Sequence, residues 1–359
     1  MSVRPLRWAV TAAALSSVLA LAACGSNDSS TSTSSAETSG SATAAATTGS
    51  GSGKPARIAF FTDSLDNAYL QAAVDEAKQT AQENGAQLDV ISAGWDANKQ
   101  LGQVQDAIAS GKYDALVVES VDGQTLCNAL TKAAQDMVVS IYNAPICGHF
   151  QDLYSPGTVG FFGRNEFKSG QMLGEEAAKA IGGKGTLAYV SGPTQVGIVK
   201  TTTEGVKDAL KKYPDVKLVS EVDGGWDPAK GLAATQDILQ ANPDVDGIIY
   251  GVDQMAVPSI KWMQSSGKLD NGLKIVTLGG TEQGFKYIGD GVIAASVNSL
   301  PREEAGYAVQ AAIQALAGKP IDVPGWDEQA KVYDVLQDPN QPALVTKDNV
   351  DQLKAEWDV

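Results

Sequence analysis

Gly94-Trp95-Asp96, followed by Lys99, Leu101, Gln105 and Asp106, returns at the same spacing as Gly225-Trp226-Asp227 with Lys230, Leu232, Gln236 and Asp237. Each copy leads into a stretch of helical periodicity and then into an Asp followed by a short apolar run, at Asp114 in the first and Asp246 in the second. The register therefore holds to within one residue over a whole strand-loop-helix-strand unit. One amphipathic helix can resemble another by chance, but a shared loop triplet ahead of it is harder to obtain that way. The chain reads as two copies of one α/β unit.

Outward from the repeat, short β-branched or apolar runs alternate with longer helical stretches. Ile58-Ala59-Phe60-Phe61, Leu88-Asp89-Val90-Ile91, Ala115-Leu116-Val117-Val118 and Val138-Val139-Ser140-Ile141 read as buried strands. Helices are expected over Tyr69–Asn84, Lys99–Ser110 and Gln124–Gln135 between them. A second series has strands at Thr186–Val190, Val216–Val219, Gly247–Tyr250 and Lys274–Leu278, with helices over Ile198–Lys212, Ala229–Gln240 and Met255–Ser266. Strand-helix alternation of this kind builds a parallel, doubly wound sheet, and the span from Lys54 to Val359 is long enough for two such lobes.

The N-terminal stretch is of a different kind. Arg4 and Arg7 precede an uncharged run from Trp8 to Leu21, too short to span a bilayer, which ends in Leu21-Ala22-Ala23-Cys24. Small residues directly before a cysteine resemble a bacterial lipoprotein signal: residues 1–23 would be removed and Cys24 lipidated. Residues 24–54, dominated by Ser, Thr, Gly and Ala, are expected to form a disordered tether. With Cys24 so assigned, Cys127 and Cys147 are the available pair in an oxidising location, and a disulfide between them is expected; two separate buried thiols are the alternative.

Charge and chemistry narrow the function. Lys and Arg number 27 against 42 Asp and Glu, a net charge of −15 that argues against a nucleic-acid or anionic-membrane surface. His149 is the single histidine, it sits in a Gly148-His149-Phe150 loop, and no nucleophile motif accompanies it. The Cys and His supply cannot close a zinc site, and no calcium loop occurs. Gly183-Lys184-Gly185-Thr186-Leu187-Ala188 matches a dinucleotide fingerprint in letters only, because it runs into a strand instead of following one. No enzyme activity, metal or cofactor is expected. In open parallel sheets ligands sit beyond the carboxyl ends of the strands, where the loops carrying Trp95 and Trp226 fall. Trp226 reads either as an aromatic wall for a ligand or as a lid on its own lobe, and Trp95 as such a lid.

Arg57-Ile58-Ala59-Phe60-Phe61 with Asn67-Ala68-Tyr69, Val138 to Asn143, Glu204-Gly205-Val206, Asp253-Gln254-Met255-Ala256 and Ser299-Leu300-Pro301 together resemble the ribose/galactose class of periplasmic binding proteins. The resemblance covers nearly the whole domain behind the tether. It implies the type I fold: two Rossmann-like lobes joined by a three-crossing hinge, with crossings near Gly163-Arg164-Asn165, Ser299-Leu300 and Tyr333-Asp334. Lobe one would comprise 55–162 plus 301–332 and lobe two 163–300 plus 333–359.

The family's cleft positions fall on Asp63, Asn67, Tyr69, Glu119, Tyr142, Asn143, Lys200, Trp226, Val252, Gly279 and Ser299. Tyr142-Asn143 stands where sugar binders of this class usually have an Asp-Arg pair, Lys200 for an arginine, Val252 for an asparagine and Gly279 for an aspartate. The pocket is thus no copied ribose site, and Asp63 with Glu119 would address a hydroxyl pair or a cationic group. Strand-end capping is the alternative role for Asp63, Asn67 and Glu119, and a solvated helix position for Lys200; Asp253 reads as an N-cap. The implied function is an extracytoplasmic lipoprotein of an ABC importer, acting as a monomer with an ABC permease and capturing a carbohydrate or polyol. The alternatives are a ligand-sensing receptor for a membrane signalling protein and a binder of a non-sugar solute.

Overall fold

The computed structural model describes residues 54–148, 153–269 and 271–359. The signal, Cys24, the tether up to 53 and His149 lie outside the described residues. Two parallel sheets are present. The first takes β1 (Arg57–Thr62), β2 (Gln87–Ser92), β3 (Ala115–Val118), β4 (Val138–Tyr142) and β5 (Phe161–Gly163), and the second takes β6 (Gly185–Ser191), β7 (Val216–Asp223), β8 (Gly247–Tyr250), β9 (Lys274–Gly279) and β10 (Ala295–Asn298). Three short strands follow: β11 (Trp326–Asp327), β12 (Val332–Asp334) and β13 (Leu344–Val345). Strand order is β11-β12-β5-β4-β3-β1-β2 in one sheet and β13-β10-β9-β8-β6-β7 in the other, so β6 to β10 repeat the order of β1 to β5. The two α/β lobes and their parallel, doubly wound sheets are as expected.

Helices cover both faces of each sheet, which explains the continuous apolar strands. α1 (Ala68–Glu83) and α9 (Pro301–Leu316) pack together on one face of the first sheet over Ile58 and Phe60. α2 (Ala97–Ser110) and α3 (Gly123–Ala133) lie on the other face, over Ala59 and Phe61. Alternate residues of β1 thus feed opposite cores. In the second sheet α4 (Glu166–Ala180) and α5 (Gly197–Leu210) share one face; α6 (Pro228–Ala241), α7 (Asp253–Ser265) and α8 (Glu282–Gly289) belong to the other.

The repeat extends into the strands. The Asp114 carboxylate accepts the Arg57 backbone N–H at 2.7 Å at the start of β1, and the Asp246 carboxylate accepts that of Thr186 at 2.7 Å near the start of β6. Cys127 of α3 and Cys147, in the loop after β4, are joined in a disulfide with their Cα atoms 4.7 Å apart. The chain passes from the first sheet to the second between β5 and α4, returns between β10 and α9, and passes again between β12 and β13.

Asp253 is not an N-cap. It is the first residue of α7, whose cap position, Val252, makes no side-chain bond. The Asp253 carboxylate instead accepts the N–H groups of Gly280 and Thr281, both at 3.2 Å, and the Thr281 hydroxyl at 2.8 Å, tying α7 to the loop after β9.

Candidate functional site

Both Gly-Trp-Asp triplets fold into the same turn. Gly94 and Trp95 have φ of 66° and 63°, and Gly225 and Trp226 of 63° and 51°. Two successive left-handed residues thus turn the chain at the carboxyl end of β2 and of β7. Asp96 then accepts the N–H groups of Asn98 and Lys99 at 2.9 Å to cap α2, and Asp227 accepts that of Lys230 at 2.8 Å to cap α6. A bulky aromatic in the left-handed region is strained, and both copies hold one there. The two indoles meet with ring centroids 5.5 Å apart and planes inclined at 43°. Trp95 therefore faces the other lobe instead of closing its own. Its Nε1 donates to Asp66 at 2.8 Å, while Trp226 lies against Gly192, where a Cβ would come within 2.3 Å of the ring.

The indole pair walls a cavity of about 70 Å³ between the lobes. Leu70, Ile198, Val199, Val252 and Leu278 give it an apolar side. Its polar groups come from the carboxyl ends of successive strands: Asp63 after β1, Glu119 after β3, Asn143 after β4 and Arg164 after β5. Asn67 and Tyr69 enter from the start of α1, and the Asn67 side chain also caps that helix by accepting the Leu70 N–H at 2.9 Å.

Asp63 and Glu119 are each 2 % exposed. Glu119 Oε2 accepts the Thr62 hydroxyl at 2.9 Å, the Asp63 N–H at 3.1 Å and the Tyr142 hydroxyl at 3.2 Å. Burial pushes Glu119 up to about 7, although the bonds from Asp63 and Thr62 pull the other way. Burial, and then the neighbouring Glu119 charge, push Asp63 well above the usual carboxylate range. Asp63 Oδ1 is buried with no hydrogen-bond partner.

Arg164 anchors the opposite side. It donates to Glu166 at 2.8 Å, to Glu304 at 3.1 Å and to the Ser299 hydroxyl at 2.7 Å. Burial works against its charge, but Glu166, Tyr69 and Glu304 outweigh that and hold the guanidinium protonated. Glu304 also accepts the Tyr69 hydroxyl at 2.8 Å and the Asn143 amide at 3.0 Å. Residues of α1, α4, α9 and two crossings thus form one buried network.

Residues 58–320 match the periplasmic binding protein domain family. The chain belongs to this family. It is a family of extracytoplasmic binding proteins, and no described helix is long and apolar enough to cross a membrane. A D-apiose import binding protein of Actinobacillus succinogenes is 28 % identical over 66 % of this chain and 73 % of its own length. The ribose import binding protein of Escherichia coli is 26 % identical over 74 % and 86 %. In fold, the chain superposes on an ABC transporter solute binding protein of Bacillus halodurans with bound myo-inositol at a TM-score of 0.71, with 21 % identity, 84 % of this chain covered and 98 % of that one.

In this periplasmic binding protein the structure brings Asp63, Asn67, Tyr69, Glu119, Asn143, Trp226 and Val252 to the cavity wall. Tyr142 stands behind, bonded to Glu119 and stacked on Phe60 at 4.9 Å. Ser299 bonds Arg164. Gly279 makes room for Asp253, whose carboxylate a Cβ there would meet at about 2.2 Å. Lys200 is exposed on α5, because Ile198, Val199 and Thr202 take the inward side of that turn. Arg164, Glu166, Thr202 and Glu304 were not read from the sequence as site residues.

Proposed function

We propose that this protein is the solute-capturing lipoprotein of an ABC importer, taking a small polyhydroxylated solute between two lobes of 55–162 plus 301–332 and 163–300 plus 333–359. The observation that carries this reading is the cavity itself: an indole from each lobe, polar groups from the strand ends of the first sheet and apolar side chains of the second lobe converge on one space between the lobes. Closure about the three crossings traps the solute and presents the liganded form to a permease. Import binding proteins for apiose and ribose among the relatives support the solute class. No bond is made or broken. Lipidated Cys24 and the tether would hold the domain near its transporter.

Calorimetric titration with ribose, apiose, allose and myo-inositol tests the reading. One or more of these is expected to bind, and Trp226→Ala and Asn67→Ala to weaken it at least tenfold; wild-type affinity in both variants sinks the site assignment. Replacing Cys24 by Ala is expected to release the protein from membranes into the soluble fraction.

A further inference from the structure

The cavity is short of positive charge. Asp63, Glu119 and Glu166 line it and Glu304 stands behind, against Arg164 alone. That guanidinium is committed to Glu166 and Glu304 at 2.8 and 3.1 Å. Among the described residues no ion pair reaches Asp63 or Glu119, and Asp63 Oδ1 has no donor at all. An ionised carboxylate taken out of water without a donor is costly, and two side by side are costlier. The folded chain nevertheless builds this pair at the wall of a largely apolar cavity between the lobes.

A neutral hydroxyl offers one donor and no charge, so it leaves the pair uncompensated. An ammonium offers three donors and one full charge, enough to bond Asp63 Oδ1 and to balance the single charge of a carboxyl pair that shares one proton. The Trp226 indole, which lines the same cavity, suits a cation as well as a sugar face.

Resting on the importer reading above, we infer that the natural solute carries a protonated amino group, seated between Asp63 and Glu119, on a small polyol body lying against Trp226 and Val252. Arg164, whose Nε is buried without a partner, leaves a donor for a hydroxyl of that body.

The test is calorimetric titration of the purified protein at neutral pH with matched pairs: glucose and glucosamine, galactose and galactosamine, ribitol and 1-amino-1-deoxyribitol, with each amine also N-acetylated. At least one amine is expected to bind ten times or more tighter than its hydroxyl partner, and its acetamide to lose that gain. Asp63→Asn is expected to cut amine affinity more than tenfold, and by a larger factor than it cuts that of the neutral partners; Glu119→Gln serves as the second variant if the first fails to fold. Neutral partners binding as tightly as the amines would overturn the inference and leave the importer reading standing. Binding of neither series here, nor of any sugar or polyol in the first titration, would overturn both.

Discussion

Arg164 shows what one side chain does for this fold. Its partners Glu166 and Glu304 have 3 % and 1 % of their side chains exposed, so removing the guanidinium strands two buried carboxylates. Arg164→Met is expected to cost about 3–5 kcal/mol in urea unfolding at pH 7, and less at pH 5, because Glu304, raised by burial, then takes up a proton. An equal loss at both pH values would contradict this. The cluster was hard to read because its members come from Tyr69 to Glu304, and only the Arg164–Glu166 bond joins residues close in the chain. Glu304 did leave a trace: it shares a buried helical stripe with Ala308 and Ala312, where a carboxylate needs a partner. Lys200 illustrates the reverse, since the 198-199-202-206 periodicity of its helix places it outside while family position suggested the cleft.

At the level of elements, the strands of both sheets were legible because helices on each face make them unbroken apolar runs. β10, four residues long, and β5 and β11 to β13, two or three long, were not. α4 is obscured by Gly170 and Gly174, poor helix formers, which are there because α5 passes so close that a Cβ at Gly170 would lie 2.0 Å from the Thr202 carbonyl. The repeated triplet was the most informative signal, and its Asp is its most testable part. Asp96→Ala and Asp227→Ala are each expected to cost about 1 kcal/mol in urea unfolding, and the double variant their sum, since the caps sit on separate lobes. No loss from either would mean that the triplet is held by its tryptophan alone.

For the molecule as a whole, the crossings carry a proton balance. The Tyr333 hydroxyl lies 2.6 Å from Glu303 and 2.8 Å from Asp338, and a phenol has one hydrogen to give, so the two carboxyls compete for a single donor. Burial, with the Asp338 charge adding to it against the Tyr333 bond, puts Glu303 at about 7; burial and then the Glu303 charge put Glu356 at about 8. Both values exceed the ordinary 4.5, so the folded state keeps protons that the unfolded chain has released. Their stabilisation is full below that value and is lost as pH rises through 7 to 8. Scanning calorimetry should give a higher Tm at pH 6 than at pH 8.5, with a shallower slope in Glu303→Gln; a Tm that climbs with pH would refute it. The indole pair acts on the same scale. Aromatic rings 5.5 Å apart share an excited state, and the coupling fades steeply as they separate. Because one ring belongs to each lobe, their relative motion is inscribed in the protein's own circular dichroism, an optical signature of opening that needs no dye.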